Sequence, residues 1–207
     1  MDIQFKGGNC LFISVKKNKI VIDDNLKALG LKQVTGADIS LHSNTEIVPV
    51  SDDETFAIDG PGEYEVKEIS IKGIAARGHM DKKEEHNATI YRIVAQGIRF
   101  VSLGHIYPEL SDEDLEAIGV VDVLVLPVGG NGFTMDAEGA SKMVKAIEPK
   151  IVIPTHYQDK KVKYEVDQQP LDEFLEDLGA QPETTDKLSV KSKDLPEKLT
   201  VYKLDIT

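Results

Sequence analysis

The stretch VVDVLVLPVGGNGFTMDAEGASKMVKAIEPKIVIPTHY, residues 120–157, decides the fold. Val121–Leu126 is almost wholly apolar, as a strand covered on both faces must be. Gly129 and Gly130 follow, where a backbone can turn sharply or approach a ligand closely. Thr134 or Asp136 can cap the next helix, whose Ala140, Met143, Val144 and Ile147 keep i, i+3, i+4, i+7 spacing and form one buried stripe. Pro149 stops that helix, and Ile151–Ile153 predicts a second buried strand. Thr155-His156-Tyr157 then stands just past the strand end, where layered α/β folds bind their ligands.

Working outward, the first third reads as β-rich. Cys10–Val15 and Lys19–Asp23 are apolar runs split by a turn-like KKN, and the second releases Asp23 and Asp24 at its end. Asp38–Leu41 leads to the polar exit His42-Ser43-Asn44-Thr45-Glu46, and Thr55–Ile58 leads to the turn-rich 59–64. Tyr64–Ile74 alternates with a slip at Lys67-Glu68, which a bulge or a tight turn would reconcile. A polar loop at 77–87 carries His79, Asp81 and His86. Ala88–Val94 and Ile98–Leu103 predict a hairpin that ends in Gly104-His105. Ser111 with Asp114 has the spacing of a capping box. After a charged connector at 158–168, Pro170 opens a helix that Gly179 ends, and Leu188–Val190 and Leu199–Leu204 close the chain. One domain over 1–207, mixed in strands and helices, is the expectation.

Composition narrows the function. Of 207 residues, 24 are basic and 36 acidic, a net charge of −12. Such a balance argues against nucleic acid and against anionic membrane surfaces as partners, because phosphate contact needs clustered Lys and Arg. No run approaches the roughly 20 apolar residues of a membrane span, and the N-terminal segment lacks a signal-peptide pattern. A cytoplasmic protein is expected, with a small-molecule ligand as its partner and homo-oligomerisation left open. The single Cys10 excludes an internal disulfide and a thiolate-based zinc framework, and its apolar neighbours read it as a core residue. No G-x-S-x-G elbow supports a serine nucleophile.

Several ordered blocks carry a family resemblance: IVIDDN (20–25), ADISLHSNTE (37–46), GPGEYEVKEISIKGI (60–74), HMD and NATIYRI (79–81, 87–93), VSLGH (101–105), VDVLVLPVGG (121–130), FTMDAEGA (133–140), PKIVIPTHY (149–157) and the tail KLSVKSKDLPE (187–197). Through them the chain resembles the metallo-β-lactamase-fold superfamily, in the short bacterial branch similar to L-ascorbate-6-phosphate lactonase. The likeness covers essentially the whole chain. It implies an α/β (α+β) four-layer αββα sandwich with the site at one edge of the two sheets, and the chemistry of a Zn-dependent hydrolase.

That chemistry needs imidazoles and carboxylates converging on metal so that a bound water becomes acidic enough to attack. Active members place a His-x-His-x-Asp-His cluster after the strand that here is Asp38–Leu41. This sequence has Asn44, Glu46, Val48 and Pro49 at those positions, and the last two cannot ligate through their side chains. Gly104-His105 stands where the family has Gly-Asp, and His156 stands at its last histidine ligand. The resemblance therefore leaves His105, His156 and Glu46 as metal candidates, with Zn or Mn as the ion if they still bind one. It makes Asp23, Asn44, His79, Asp81, Gly104, Gly129, Gly130 and Asp136 the expected lining of the pocket. His156 reads equally as a hydrogen-bonded structural histidine, and Gly129, Gly130 and Asp136 as shapers of a turn and a helix entry. Three functions stay open: a catalytically silent pseudoenzyme kept for binding, an atypical mononuclear hydrolase of a small lactone or phosphoester, and metal-free acid/base chemistry between the two histidines and nearby carboxylates.

Overall fold

The computed structural model describes residues 1–44 and 55–207. In chain order its elements are β1 (Asp2–Gly7), β2 (Cys10–Val15), β3 (Asn18–Ile22), β4 (Ile39–Leu41), β5 (Phe56–Ile58), β6 (Gly62–Val66), β7 (Ile69–Ala76), β8 (Ala88–Ala95), β9 (Ile98–Ser102), α1 (Asp112–Ile118), β10 (Val123–Pro127), α2 (Ala137–Ile147), β11 (Ile151–Thr155), α3 (Leu171–Leu178), β12 (Pro182–Thr185), β13 (Leu188–Ser189) and β14 (Thr200–Leu204). Two sheets result. One runs β13-β1-β2-β3-β4-β5 and the other β12-β14-β11-β10-β9-β8-β7-β6.

Alternation explains how the sheets meet. In β2 and β3, Leu11, Ile13, Val15, Ile20 and Ile22 point into the main core between the sheets. Cys10 and Val21 point the other way and pack with Leu26, Leu31, Val34 and Ala37. That second cluster lies under residues 24–37, which contain turns but no helix. On the other side, α1 packs on β7, and α2 packs on β10 and α3. The expected sandwich is thus formed, with an irregular segment as its outer layer on the six-stranded sheet among the described residues. Strand β10 is buried at every position, as a parallel central strand requires.

Local signals act as expected at the helices. Ser111 and Asp114 form a reciprocal capping box on α1. Asp136, rather than Thr134, caps α2 by accepting from the Gly139 amide at 2.8 Å. The slip at Lys67-Glu68 is a tight turn, not a bulge: both residues have positive φ, 51° and 65°, and β6 and β7 pair as an antiparallel hairpin around them. Two strands differ from expectation by being present at all. β1 shows only Ile3 and Phe5 as its buried face, and β12 is a polar edge strand, PETT, so neither carries a long apolar run.

β3, β4 and β5 are parallel to one another, as are β9, β10, β11 and β14. Their C-terminal exits meet at one end of the sandwich. The opposite end is tied by Asp122, whose fully buried carboxylate receives Arg99 Nε at 2.8 Å, Arg99 Nη2 at 2.7 Å and the Arg99 amide at 2.8 Å. Its backbone also bonds to Arg99 and Ile151, so one residue joins β9, β10 and β11. Burial pushes the Asp122 carboxyl up, but the Arg99 hydrogen bonds and charge outweigh burial and hold it below the usual range.

A depressed carboxylate pKa stabilises the fold above the unfolded value of about 3.9, and that contribution is lost as pH falls through the folded value. Asp122→Asn is therefore expected to cost about 1–3 kcal/mol at neutral pH, a range discounted because Arg99 is 35% exposed. The cost should shrink below about pH 4, as chemical denaturation at pH 7 and pH 3 would measure.

Candidate functional site

The exits of β3, β4, β9, β10 and β11 surround a cleft of about 630 Å³. Its foundation is a buried polar cluster. Asp23 follows β3 with φ 53°, a left-handed conformation uncommon outside glycine. Asn9 Nδ2 donates to its Oδ2 at 2.6 Å, the Ser43 amide donates to its Oδ1 at 2.7 Å, and Ser43 Oγ donates to its Oδ2 at 2.6 Å. Thr155 Oγ1, from the other sheet, donates to Asn9 Oδ1 at 2.6 Å. All four side chains are buried. The neighbouring Asp24 accepts from the Val34 amide at 2.8 Å and the Leu26 amide at 3.4 Å, while burial raises its pKa.

His156 follows β11 and also sits at positive φ, 51°. Its amide donates to Gly8 of the other sheet at 2.8 Å. Gln168 Nε2 donates to Val166, which fixes the amide so that Oε1 faces His156 Nδ1 at 3.0 Å. Since Oε1 can only accept, Nδ1 carries the proton and Nε2 keeps a lone pair. Burial, and then the nearby His105, push the His156 pKa down to about 3, so the ring is neutral. His105 follows β9. Its Nδ1 lies 3.2 Å from the Phe133 carbonyl, another pure acceptor, so Nδ1 carries a proton and the neutral ring has its lone pair at Nε2. The two rings stand edge to face with centroids 5.0 Å apart, and Tyr164 covers His156 at 4.7 Å.

The glycines allow these approaches. A side chain on Gly104, which has φ 61°, would meet Ser43 at 2.4 Å, and one on Gly129 would meet the His156 carbonyl at 2.1 Å and Gln168 at 2.3 Å. Gly130 turns at φ 66° and abuts Gln169.

Of the residues the sequence singles out, Asn44, His105 and His156 line the cleft together. Asp23 lies beneath it in the polar cluster. His79 and Asp81 support it from outside: the His79 amide donates to the His105 carbonyl at 2.8 Å, and Asp81 closes the loop by accepting from Gly78 and Asn87. Asp81 is held below the usual carboxylate range, because these amides outweigh its burial, and burial lowers the His79 pKa. Asp136 is exposed and spent on its helix cap. Glu46, like Val48 and Pro49, lies outside the described residues. Sequence reasoning did not find Asn9, Ser43, Tyr164 or Gln168. Tyr164 was the available signal, as a lone aromatic in an otherwise charged connector.

Fold and site together define a member of the β-lactamase superfamily: the chain belongs to the family described as the beta-lactamase superfamily domain, which matches residues 2–156. Within it, the chain belongs with the UPF0173 metal-dependent hydrolases. A relative of that description from Nanoarchaeum equitans is 30% identical over 185 residues, spanning 76% of this chain and 84% of its own length. A Thermoplasma volcanium relative is 30% identical over 145 residues, and this chain spans 61% of it. Relatives of the chain thus include archaeal proteins. Among solved structures, a protein from Thermotoga maritima described as a Zn-dependent hydrolase of the metallo-β-lactamase superfamily superposes with a TM-score of 0.76 at 25% identity, covering 99% of this chain and 100% of that one. The metallo-β-lactamase fold protein YhfI of Bacillus subtilis shares the fold at 8% identity, with a TM-score of 0.62 and coverage of 97% and 95%.

The family implies a metal, and the donors can be tested for it. His105 and His156 each give the Nδ1 proton to an oxygen, as histidines that ligate metal through Nε2 do. Beyond that pair the fit fails: among the described residues no group of three His, Cys, Asp or Glu side chains could hold an ion. Asp23 accepts three hydrogen bonds in the buried cluster, and Asp24 accepts one backbone amide on each oxygen. The described residues do not fit a two-metal centre. No described helix is long and apolar enough to cross a membrane.

The left-handed backbone at His156 gives a check on this geometry. At ordinary positions glycine is less stable than alanine, but at φ 51° alanine carries the strain. His156→Gly is expected to be more stable than His156→Ala by about 1 kcal/mol, measured by urea denaturation of the two variants. Equal stabilities, or alanine the better, would contradict the placement.

Proposed function

We propose that this chain is a small-molecule-binding protein built on a metal-dependent hydrolase fold, without the dinuclear chemistry of that fold. The observation that carries the reading is the fate of Asp23: its carboxylate accepts three hydrogen bonds from Asn9 and Ser43 and is sealed from solvent. A carboxylate so engaged has to break a buried network before it can ligate an ion, at a cost of several kcal/mol. Val48 and Pro49 stand in the segment where the family carries ligands, and among the described residues no group of three His, Cys, Asp or Glu side chains could hold an ion. The cleft itself persists. It combines apolar walls from Leu29, Phe133 and Val166 with a few polar groups, the usual make-up of a small-ligand site. We take the protein to be cytoplasmic and catalytically silent.

A second reading has one observation of its own. Among the described residues neither imidazole has a protein partner at Nε2, which suits a single ion held by His105, His156 and a carboxylate such as Glu46. It draws further support from the names of the relatives, which are metal-dependent hydrolases. A bound ion there would supply Lewis acidity and an activated water.

Metal analysis separates the two. Protein purified without chelator or polyhistidine tag, offered Zn²⁺ and Mn²⁺ and then desalted, is expected to retain far less than one ion per chain. It should also hydrolyse neither a generic lactone nor a phosphodiester above background. One retained ion per chain, with metal-dependent turnover abolished in His156→Ala, would replace the first reading with the second.

A further inference from the structure

We propose that the cleft recognises an uncharged small molecule that presents two neighbouring hydrogen-bond donors, such as a vicinal diol or a urea-type N–H pair, one to Nε2 of His105 and one to Nε2 of His156. The inference rests on the ligand-binding reading above and adds the chemical class of the ligand.

The argument starts from tautomers. Gln168 cannot turn its amide, because its Nε2 is bonded to the Val166 carbonyl at 3.0 Å, so its Oε1 demands a proton from His156. The Phe133 carbonyl makes the same demand of His105. Both neutral rings therefore offer Nε2 to the cleft as an acceptor, and a ligand that displaces water there has to supply a donor to each or leave it unsatisfied at a cost. Among the described residues neither Nε2 has a protein partner, and neither is among the polar atoms sealed from solvent. With the ring centroids 5.0 Å apart, one ligand bearing two adjacent donors can serve both.

The surrounding charges select against ions. An anion would meet two lone pairs, with Asp24 and Glu165 also on the cleft wall and Lys27 as the cation among the described lining residues. An ammonium ion could donate and would be drawn to Asp24, but beside the buried His156 it would lose hydration and compete with the Leu26 and Val34 amides for that carboxylate. Uncharged donors avoid both penalties. The apolar side chains of Leu29, Phe133 and Val166 would then cover the rest of the ligand.

Two measurements on the full chain test this. In long-range ¹H–¹⁵N spectra at neutral pH, His105 and His156 should both be Nδ1–H tautomers with unprotonated Nε2. Either ring found as the Nε2–H tautomer overturns the proposal. The second measurement is ligand-observed NMR on three size-matched fragment sets: uncharged diols and ureas, carboxylates and phosphates, and primary ammonium compounds. The uncharged set should supply the hits, and these should move the Nε2 signals of both histidines. Gln168→Leu, which removes the tautomer lock, should weaken them about tenfold, the equivalent of one hydrogen bond. Hits drawn mainly from either charged set would overturn the proposal and leave the ligand-binding reading standing. Absence of hits from all three sets would overturn both. Binding that requires added Zn²⁺ would overturn both in favour of a single-ion site.

Discussion

The carboxylate of Asp23 is the constraint on which this end of the molecule depends. It gathers Asn9 from the β1–β2 turn and Ser43 from the end of β4, and through Asn9 it reaches Thr155 at the end of β11. Two sheets packed mainly through apolar side chains are joined there by four buried polar ones, while Tyr91 of β8 makes a separate buried link through its hydroxyl, 3.0 Å from the His42 and Ile58 carbonyls. Buried polar groups destabilise a core unless each is satisfied. Here the satisfaction is mutual, so the network can be kept only as a whole. Gly104 passes directly over Ser43, and His156 leaves β11 one residue after Thr155. The network thus sets where both histidines of the cleft can stand.

That arrangement is what supports the binding role proposed for the cleft. A metal centre draws carboxylates and imidazoles outward toward an ion, whereas this site turns its carboxylates inward toward backbone amides, an asparagine and a serine. His156 is buried, neutral and locked as one tautomer by Gln168. The strained φ values at Asp23 and His156 belong to the same pattern. Strain of this kind persists where surrounding bonds over-determine the backbone, and it clusters at functional clefts. A cleft with fixed acceptors suits the recognition of a small ligand proposed for it.

Much of the fold was legible because its signals are local or periodic. The apolar run before Gly129, the helical stripe from Ala140 to Ile147 and the capping pair Ser111–Asp114 each carry their structure within a dozen residues. β12 was not legible, since the polar edge strand PETT gains its pairing from β14 and not from an apolar run of its own, and β1 was not because its buried side chains are only Ile3 and Phe5. The site was half legible. His105 and His156 stand out by type and by their places after strands, and they do meet. Asn9, Ser43 and Gln168 do not stand out, because a short polar residue looks the same in sequence whether it caps a turn or holds a carboxylate. What gives them a role is a contact across the sheets, between positions as distant as 9 and 155. The opening stretch, 120–157, therefore predicted the frame of the cleft but not the polar cluster beneath it.

The central claim is that Asp23 belongs to the fold and not to a metal. The most direct measurement is the ¹³C carboxyl resonance of Asp23, followed with the amide signals of Asn9 and Ser43 as Zn²⁺ is added to the folded protein. The account predicts that all of them stay in place through an excess of the ion, even if His105 or His156 responds. A stoichiometric shift of the Asp23 resonance, with loss of the Ser43 amide bond, would show that the carboxylate is released to metal and would contradict the account.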